Sequence, residues 1–138
     1  MKITFVSSEV YPYAKTGGLA DVVGSLPHAL EKLGNDVCIF MPYYSNIIDN
    51  QKYPTEVVAE LEHFAVRKYK NVYFIEQKDY FGRNAIYGEN NESYVDNAER
   101  FVFFDQAVLL AMKTLGLKSD IIHNNDWQTG LIPVYMKI

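Results

Sequence analysis

The chain has 138 residues, 49% of them hydrophobic, and a formal net charge of −4. That is enough apolar material for one compact domain burying about two-thirds of its unfolded surface, and it excludes a disordered chain. The acidic balance implies no general nucleic-acid surface and no anionic-membrane surface. Arg67-Lys68-Tyr69-Lys70 is the one basic cluster and reads as a solvated turn between strands.

In chain order, residues 2–7 read as a strand ending in small polar residues. No basic stretch precedes an apolar run of helical length, so no signal peptide is expected and the cytoplasm is the default location. No segment is long enough to span a membrane. Leu19, Val22, Val23, Leu26, Leu30 and Leu33 recur at helical spacing, and Gly34-Asn35 ends that helix. Pro27 lies inside the pattern and predicts a kink or break near Val23–Leu26. Asp36 to Met41 reads as a second strand stopped by Pro42, with Cys38 as a buried structural thiol. Strand, helix, strand is a βαβ unit, so these two strands should be parallel. Residues 43–53 have turn composition. From Pro54 to Gly88, alternation at Val57, Ala59, Leu61, Phe64 and Val66, and the run 71–76, predict a β-meander inserted between βαβ units. Residues 90–93 read as a turn. A helix follows, with Ala98, Phe101, Phe104, Val108, Met112 and Leu115 on one face; Asp96 is its N-cap and Glu99 completes a capping box. Residues 120–123 form a short strand, 124–127 a turn, and 128–137 a further helix. The fold class is therefore α/β, a Rossmann-like parallel sheet with flanking helices and an inserted meander, in a single domain over 1–138. The apolar run to Ile138 predicts that the chain is part of a longer polypeptide.

The loop between the first strand and helix carries Lys15-Thr16-Gly17-Gly18. A helix N-terminus offers unpaired N–H groups and the positive end of the dipole; paired glycines let a phosphate approach, and Lys15 adds a full charge. A plain glycine turn with a solvated lysine is the alternative. The loop matches neither the dinucleotide fingerprint nor the P-loop. In an open parallel sheet, ligands bind beyond the carboxyl ends of the strands. There the first strand leads into Ser7-Ser8-Glu9, and a later one into His123-Asn124-Asn125-Asp126-Trp127. Locally, Asp96 and Asp126 read as helix caps, Trp127 as core or interface, and His123 as a hydrogen-bonded core histidine. No residue spacing fits a metal site, and no Gly-x-Ser-x-Gly elbow supports a serine hydrolase.

Four ordered blocks add a family resemblance. Ser8-Glu9-Val10-Tyr11-Pro12 with Lys15 to Val22 resembles the N-terminus of bacterial glycogen synthases and plant starch synthases, in which Lys-x-Gly-Gly-Leu binds the sugar nucleotide. Tyr80 to Gly88 resembles Tyr-Phe-Asp-Arg-Pro-Gly-x-Tyr-Gly, departing at Gly82, Asn84 and Ala85. Tyr94 to Phe101 resembles Tyr-x-Asp-Asn-x-x-Arg-Phe, and Asp120 to Leu131 a segment lining the donor-sugar pocket, with Asn125 where many bacterial members have histidine. The resemblance implies part of the N-terminal half of a GT-B glycosyltransferase, whose C-terminal domain would supply most nucleotide contacts. It implies glucose transfer from ADP-glucose or UDP-glucose to the non-reducing end of an α-1,4-glucan such as glycogen, with retention and no metal or other cofactor. By the same resemblance, Asp96 is the catalytic carboxylate, and Lys15, Gly17, Gly18, Asp21, Asn125 and Asp126 bind substrate. The chain alone is expected to be inactive. A non-catalytic glucan- or sugar-phosphate-binding module is the alternative.

Overall fold

A computed structural model describes residues 1–138. Strand β1 (Lys2–Val6) leads through a loop to helix α1 (Gly18–Lys32), which returns to β2 (Asp36–Pro42). Three strands follow, β3 (Glu56–Glu60), β4 (Ala65–Tyr69) and β5 (Val72–Glu76), then a one-turn helix α2 (Lys78–Phe81). A small hairpin, β6 (Gly88–Glu89) and β7 (Glu92–Ser93), precedes the long helix α3 (Asn97–Thr114). The chain then runs through β8 (Ile121–Asn124), a 3-10 turn at Trp127–Thr129, and a short helix α4 (Ile132–Tyr135).

The main sheet has the order β3-β4-β5-β2-β1-β8. β5, β2, β1 and β8 are parallel; β3 and β4 are antiparallel additions. The meander expected between the βαβ units is β3, β4 and β5, and it joins the parallel sheet through the β5–β2 pair. β4 and β5 pair tightly around Lys70, whose φ is +52°. Arg67 to Tyr69 thus lie in a strand, and Arg67 is ion-paired with Glu76 across it, which corrects the expected solvated turn.

The core has apolar residues from both sheet faces, including Phe5, Phe40, Phe74, Val23, Phe104 and Val108. On α1 the buried face is Ala20, Val23 and Pro27; Val22, Leu26 and Leu33 are exposed, so the face is rotated from the expected one. Helix α1 runs unbroken through Pro27: fixed φ suits a helix, and burial of the ring offsets the lost hydrogen bond. Gly34 ends the helix at φ +86° and Gly116 follows α3 at φ +66°, where side-chain-bearing residues are disfavoured. The expected helix over 128–137 is instead a 3-10 turn and one turn of α-helix. Pro133 is tolerated only in a first helical turn, so the helix restarts at Ile132. No helix is long and apolar enough to cross a membrane.

Candidate active site

Because β1, β2, β5 and β8 are parallel, their carboxyl ends lie along one sheet edge. Four segments leave that edge: Ser7–Gly17, Pro42–Tyr44, Gln77–Tyr87 and Asn125–Trp127. The Tyr44 hydroxyl donates to the Ser8 carbonyl at 2.6 Å. Asn125 donates from its backbone amide to the Val6 carbonyl at 3.2 Å. Its side-chain amide donates to the Val6 and His123 carbonyls, each at 3.0 Å. The Asn125 amide nitrogen is thus committed to tying β8 to β1, and only its Oδ1 is left for a ligand.

The loop before α1 is built on Glu9. This side chain is 2% exposed, yet it carries a carboxylate. Its Oε1 accepts the Thr16 and Gly17 amides, both at 3.0 Å; its Oε2 accepts the hydroxyls of Thr16 at 2.8 Å and Tyr87 at 2.7 Å. Burial pushes the carboxyl up, but the bonds from Tyr87, Thr16 and Gly17 outweigh it and leave it below its ordinary value. The Gly17 amide is therefore occupied within the chain by Glu9. The Gly18 amide donates to nothing within the chain, and no side chain caps α1. A Cβ added at Gly17 or Gly18 would meet nothing within 4 Å, and neither has positive φ. The fold itself does not require these two glycines; they keep the space above the backbone clear. Lys15 reaches across this loop, its Nζ donating to both oxygens of Asp21 at 2.8 and 2.7 Å.

Asp96 stands at the N-cap of α3 but its side chain makes no capping bond. Its carboxylate takes a two-pronged contact from Arg83, at 2.8 and 2.6 Å. Glu99 accepts instead from the Tyr80 hydroxyl. The expected capping box is absent because two guanidinium N–H donors, carrying a full opposite charge, hold the Asp96 carboxylate in place of a single helix amide. Arg83 holds the Asp96 carboxyl below the usual carboxylate range. The Arg83 guanidinium also lies over the Tyr94 ring, 4.7 Å from its centroid.

The segment carrying Arg83 is pinned by Arg100, which is fully buried. Its guanidinium donates to the Tyr80 carbonyl at 2.7 Å, the Ile86 carbonyl at 2.9 Å and Asn97 Oδ1 at 2.7 Å. Asn97 Nδ2 donates to the Tyr87 carbonyl at 2.8 Å. On the far side, Phe101 packs edge-on against Trp127, with centroids 5.4 Å apart. Trp127 is 57% exposed, so it is not core. Asp126 has φ +64° and ψ −175°, a conformation ordinarily left to glycine. Its carboxylate accepts the Trp127 amide at 2.7 Å; the Tyr87 phenol is pushed up first by burial, then by its bond to Glu9 and the charge of Glu9, with the Asp126 charge adding least. His123 stacks on Phe5 at 4.5 Å with its Nδ1 unpartnered, rather than hydrogen-bonded.

The three segments that the sequence singled out therefore converge through Glu9, Tyr87, Asn97, Phe101 and Trp127. The sequence assigns none of these linking residues a part in joining the segments: Phe101 reads only as one of a helix's apolar face and Trp127 as core or interface. Glu9 and Tyr87 lay within quoted motifs, but pairing residues 78 apart needs the fold. The surface hollows, of about 280, 270 and 330 Å³, include none of Lys15, Gly17, Gly18, Asp21, Asp96, Asn125 or Asp126. The candidate site is an open ledge, not a cavity.

An open ledge at the carboxyl edge of a parallel sheet, with a cation and a free helix amide on one side and a carboxylate on the other, suits an anionic, hydroxyl-rich ligand. The starch synthase catalytic domain family matches residues 2–138, and the chain belongs to that family. The glycogen synthase of Syntrophotalea carbinolica is 44% identical over 150 aligned residues, covering 99% of this chain and 31% of that protein. The glycogen synthase of Photobacterium profundum is 46% identical, covering 99% of this chain and 29% of its own length. The chain thus spans about a third of the curated relatives it matches. Among solved structures, the catalytic domain of starch synthase IV from Arabidopsis thaliana, bound to ADP and acarbose, matches with a TM-score of 0.83 at 29% identity. That match covers 99% of this chain and 30% of the other.

Proposed function

We propose that this chain is the N-terminal, glucan-facing part of a glycogen or starch synthase, a GT-B enzyme that transfers glucose from ADP-glucose to the non-reducing end of an α-1,4-glucan. The observation that carries the reading is the unobstructed Gly18 amide beside Lys15 at the carboxyl end of β1. The relative bound to ADP and acarbose supports an adenine nucleotide donor and a glucan-like acceptor. UDP-glucose is the second donor to test.

Glucosyl transfer builds negative charge on the departing diphosphate and positive charge on the sugar ring. A preorganised amide and ammonium at the first, and a carboxylate at the second, lower the barrier. Lys15 and Gly18 take the diphosphate side, with Lys15 exchanging Asp21 for the phosphate. Asp96 orients the sugar hydroxyls and favours the ring's charge once its contact with Arg83 is shared with substrate. Asn125 Oδ1 and Asp126 line the sugar side. A second domain closing over the ledge would exclude the water that otherwise diverts transfer to hydrolysis.

The test follows labelled glucose from ADP-glucose and from UDP-glucose onto glycogen, using the natural-length protein. Lys15→Ala and Asp96→Ala should each lower kcat by about 10²–10³-fold, the usual effect of deleting one electrostatic stabiliser. The 138-residue chain alone should transfer nothing; measurable elongation by it would overturn the claim of a shared site. A folded natural-length protein that binds glycogen but transfers from neither donor would be a non-catalytic binding module instead.

A further inference from the structure

We infer that Glu9 is a positioning residue that sets the Lys15–Gly18 loop and, through Tyr87, locks it to the segment carrying Asp96, so that the two sides of the site keep one spacing. The inference rests on the proposed glucosyl-transfer reading for its kinetic consequence, but the lock itself is a matter of geometry.

A carboxylate buried to 2% exposure is costly unless its charge is used. No basic side chain meets Glu9; its four partners are two amides and two hydroxyls. Two come from the turn of the loop, one from the Thr16 side chain, and one from Tyr87, 78 residues away. Tyr87 has one hydroxyl proton and gives it to Glu9, so the Ser8 hydroxyl donates to the Tyr87 oxygen, at 2.7 Å. Ser8 is held in turn by its carbonyl, which accepts from Tyr44. At the other end, the Tyr87 carbonyl accepts from Asn97, the residue after Asp96, and from the Tyr94 amide at 2.9 Å. An unbroken line of bonds therefore runs from Gly17 through Glu9 and Tyr87 to the start of α3.

Glu9 also decides where an anion can sit. By taking the Thr16 and Gly17 amides it leaves Gly18 as the first free amide, and its charge repels a phosphate from the loop's inner side. The ammonium of Lys15, now on Asp21, faces outward with Gly18.

The experiment compares Glu9→Gln, Glu9→Ala, Tyr87→Phe and the Glu9→Ala/Tyr87→Phe double variant in the natural-length protein. Amide hydrogen exchange at Thr16, Gly17 and residues 94–97 reports the lock without reference to activity. Donor KM and kcat report its consequence. Glu9→Gln keeps one oxygen for the two amides, and its NH₂ can donate to both hydroxyls, so it should exchange like wild type and hold donor KM within about threefold. Glu9→Ala should speed exchange in both segments together and worsen donor kcat/KM by about 10- to 100-fold, the scale of a misplaced reacting group. Tyr87→Phe should speed exchange in both segments to a lesser degree, and the double variant should be no worse than Glu9→Ala alone. Exchange that rises near Thr16 but not at residues 94–97, an Ala defect that Gln fails to rescue, or additive losses would each overturn the inference. If Glu9→Ala does not fold, the Tyr87→Phe exchange pattern decides alone. If the wild type transfers no glucose while the exchange pattern holds, the functional reading fails and the lock stands.

Discussion

Asp105 and Asp96 are carboxylates with opposite responses to pH. Asp105 is buried on α3; one oxygen accepts the Leu131 amide at 3.0 Å and the other has no partner. Burial pushes its carboxyl up to about 7. Between its unfolded value near 3.8 and about 7, the unfolded chain has lost this proton while the folded chain keeps it. Stability therefore falls with rising pH across that window and stays lower above it. Asp105→Asn removes the titration, so thermal melts should show the variant gaining on wild type from pH 5 to pH 8; a constant gap would mean the group does not titrate there. Asp96 has the reverse sign. Arg83 holds its carboxyl down, so that pair's contribution is present above the unfolded value and is lost as pH falls through the folded one. Arg83→Ala should flatten the acid limb of the stability curve while leaving the limb near neutrality in place. Both side chains are about a quarter exposed, so the effect is a modest one.

On helix α1, two glycines separate the proposed donor contact from packing. A Cβ at Gly18 meets nothing, whereas a Cβ at Gly24 would lie 2.8 Å from the Tyr11 carbonyl oxygen. Gly18→Ala should keep or raise stability, by up to about 1 kcal/mol, while weakening donor binding. Gly24→Ala should cost about 1–3 kcal/mol by forcing loop and helix apart. Calorimetric melts beside donor titrations would show the two effects on different axes. The same helix marks the limits of reading elements from sequence. Its existence and its end at Gly34 follow from periodicity and a glycine stop, but its buried stripe does not. Val22 and Leu26 belong to the apolar pattern yet stay exposed, while Ala20, Val23 and Pro27 go inward, on the side where the loop docks through the Tyr11 amide on the Ala20 carbonyl. At α3 the N-cap position was legible and the capping bond was not. Arg83, 13 residues upstream, competes for the same carboxylate, and only the folded loop brings it there.

Across the molecule, the strands and the parallel β1–β2 pair follow from local composition and the handedness of βαβ units, and the Lys15–Gly18 loop from its residues. The rest of the site was legible only as separate stretches. Its unity depends on β8 returning beside β1, with Ile3 opposite Ile121. That return gives the molecule two halves with different chain economies. β3, β4 and β5 pair with immediate neighbours across short turns, whereas β1 and β8 join residues nearly the whole chain apart. Closing a long loop is slow relative to zipping a hairpin, so the meander should form early and β8 dock late. Asn125→Ala, which removes one side-chain bond across that late seam, to Val6, and a second within the β8 segment, to His123, should then speed unfolding by about 5- to 30-fold, the equivalent of one or two kcal/mol, with little change in refolding rate. Stopped-flow unfolding and refolding arms would show it. A slowed refolding arm would instead place the β1–β8 seam in the folding nucleus. Asn125 and Asp126, proposed to line the sugar side, would thus be among the last parts of the protein to come together and the first to let go.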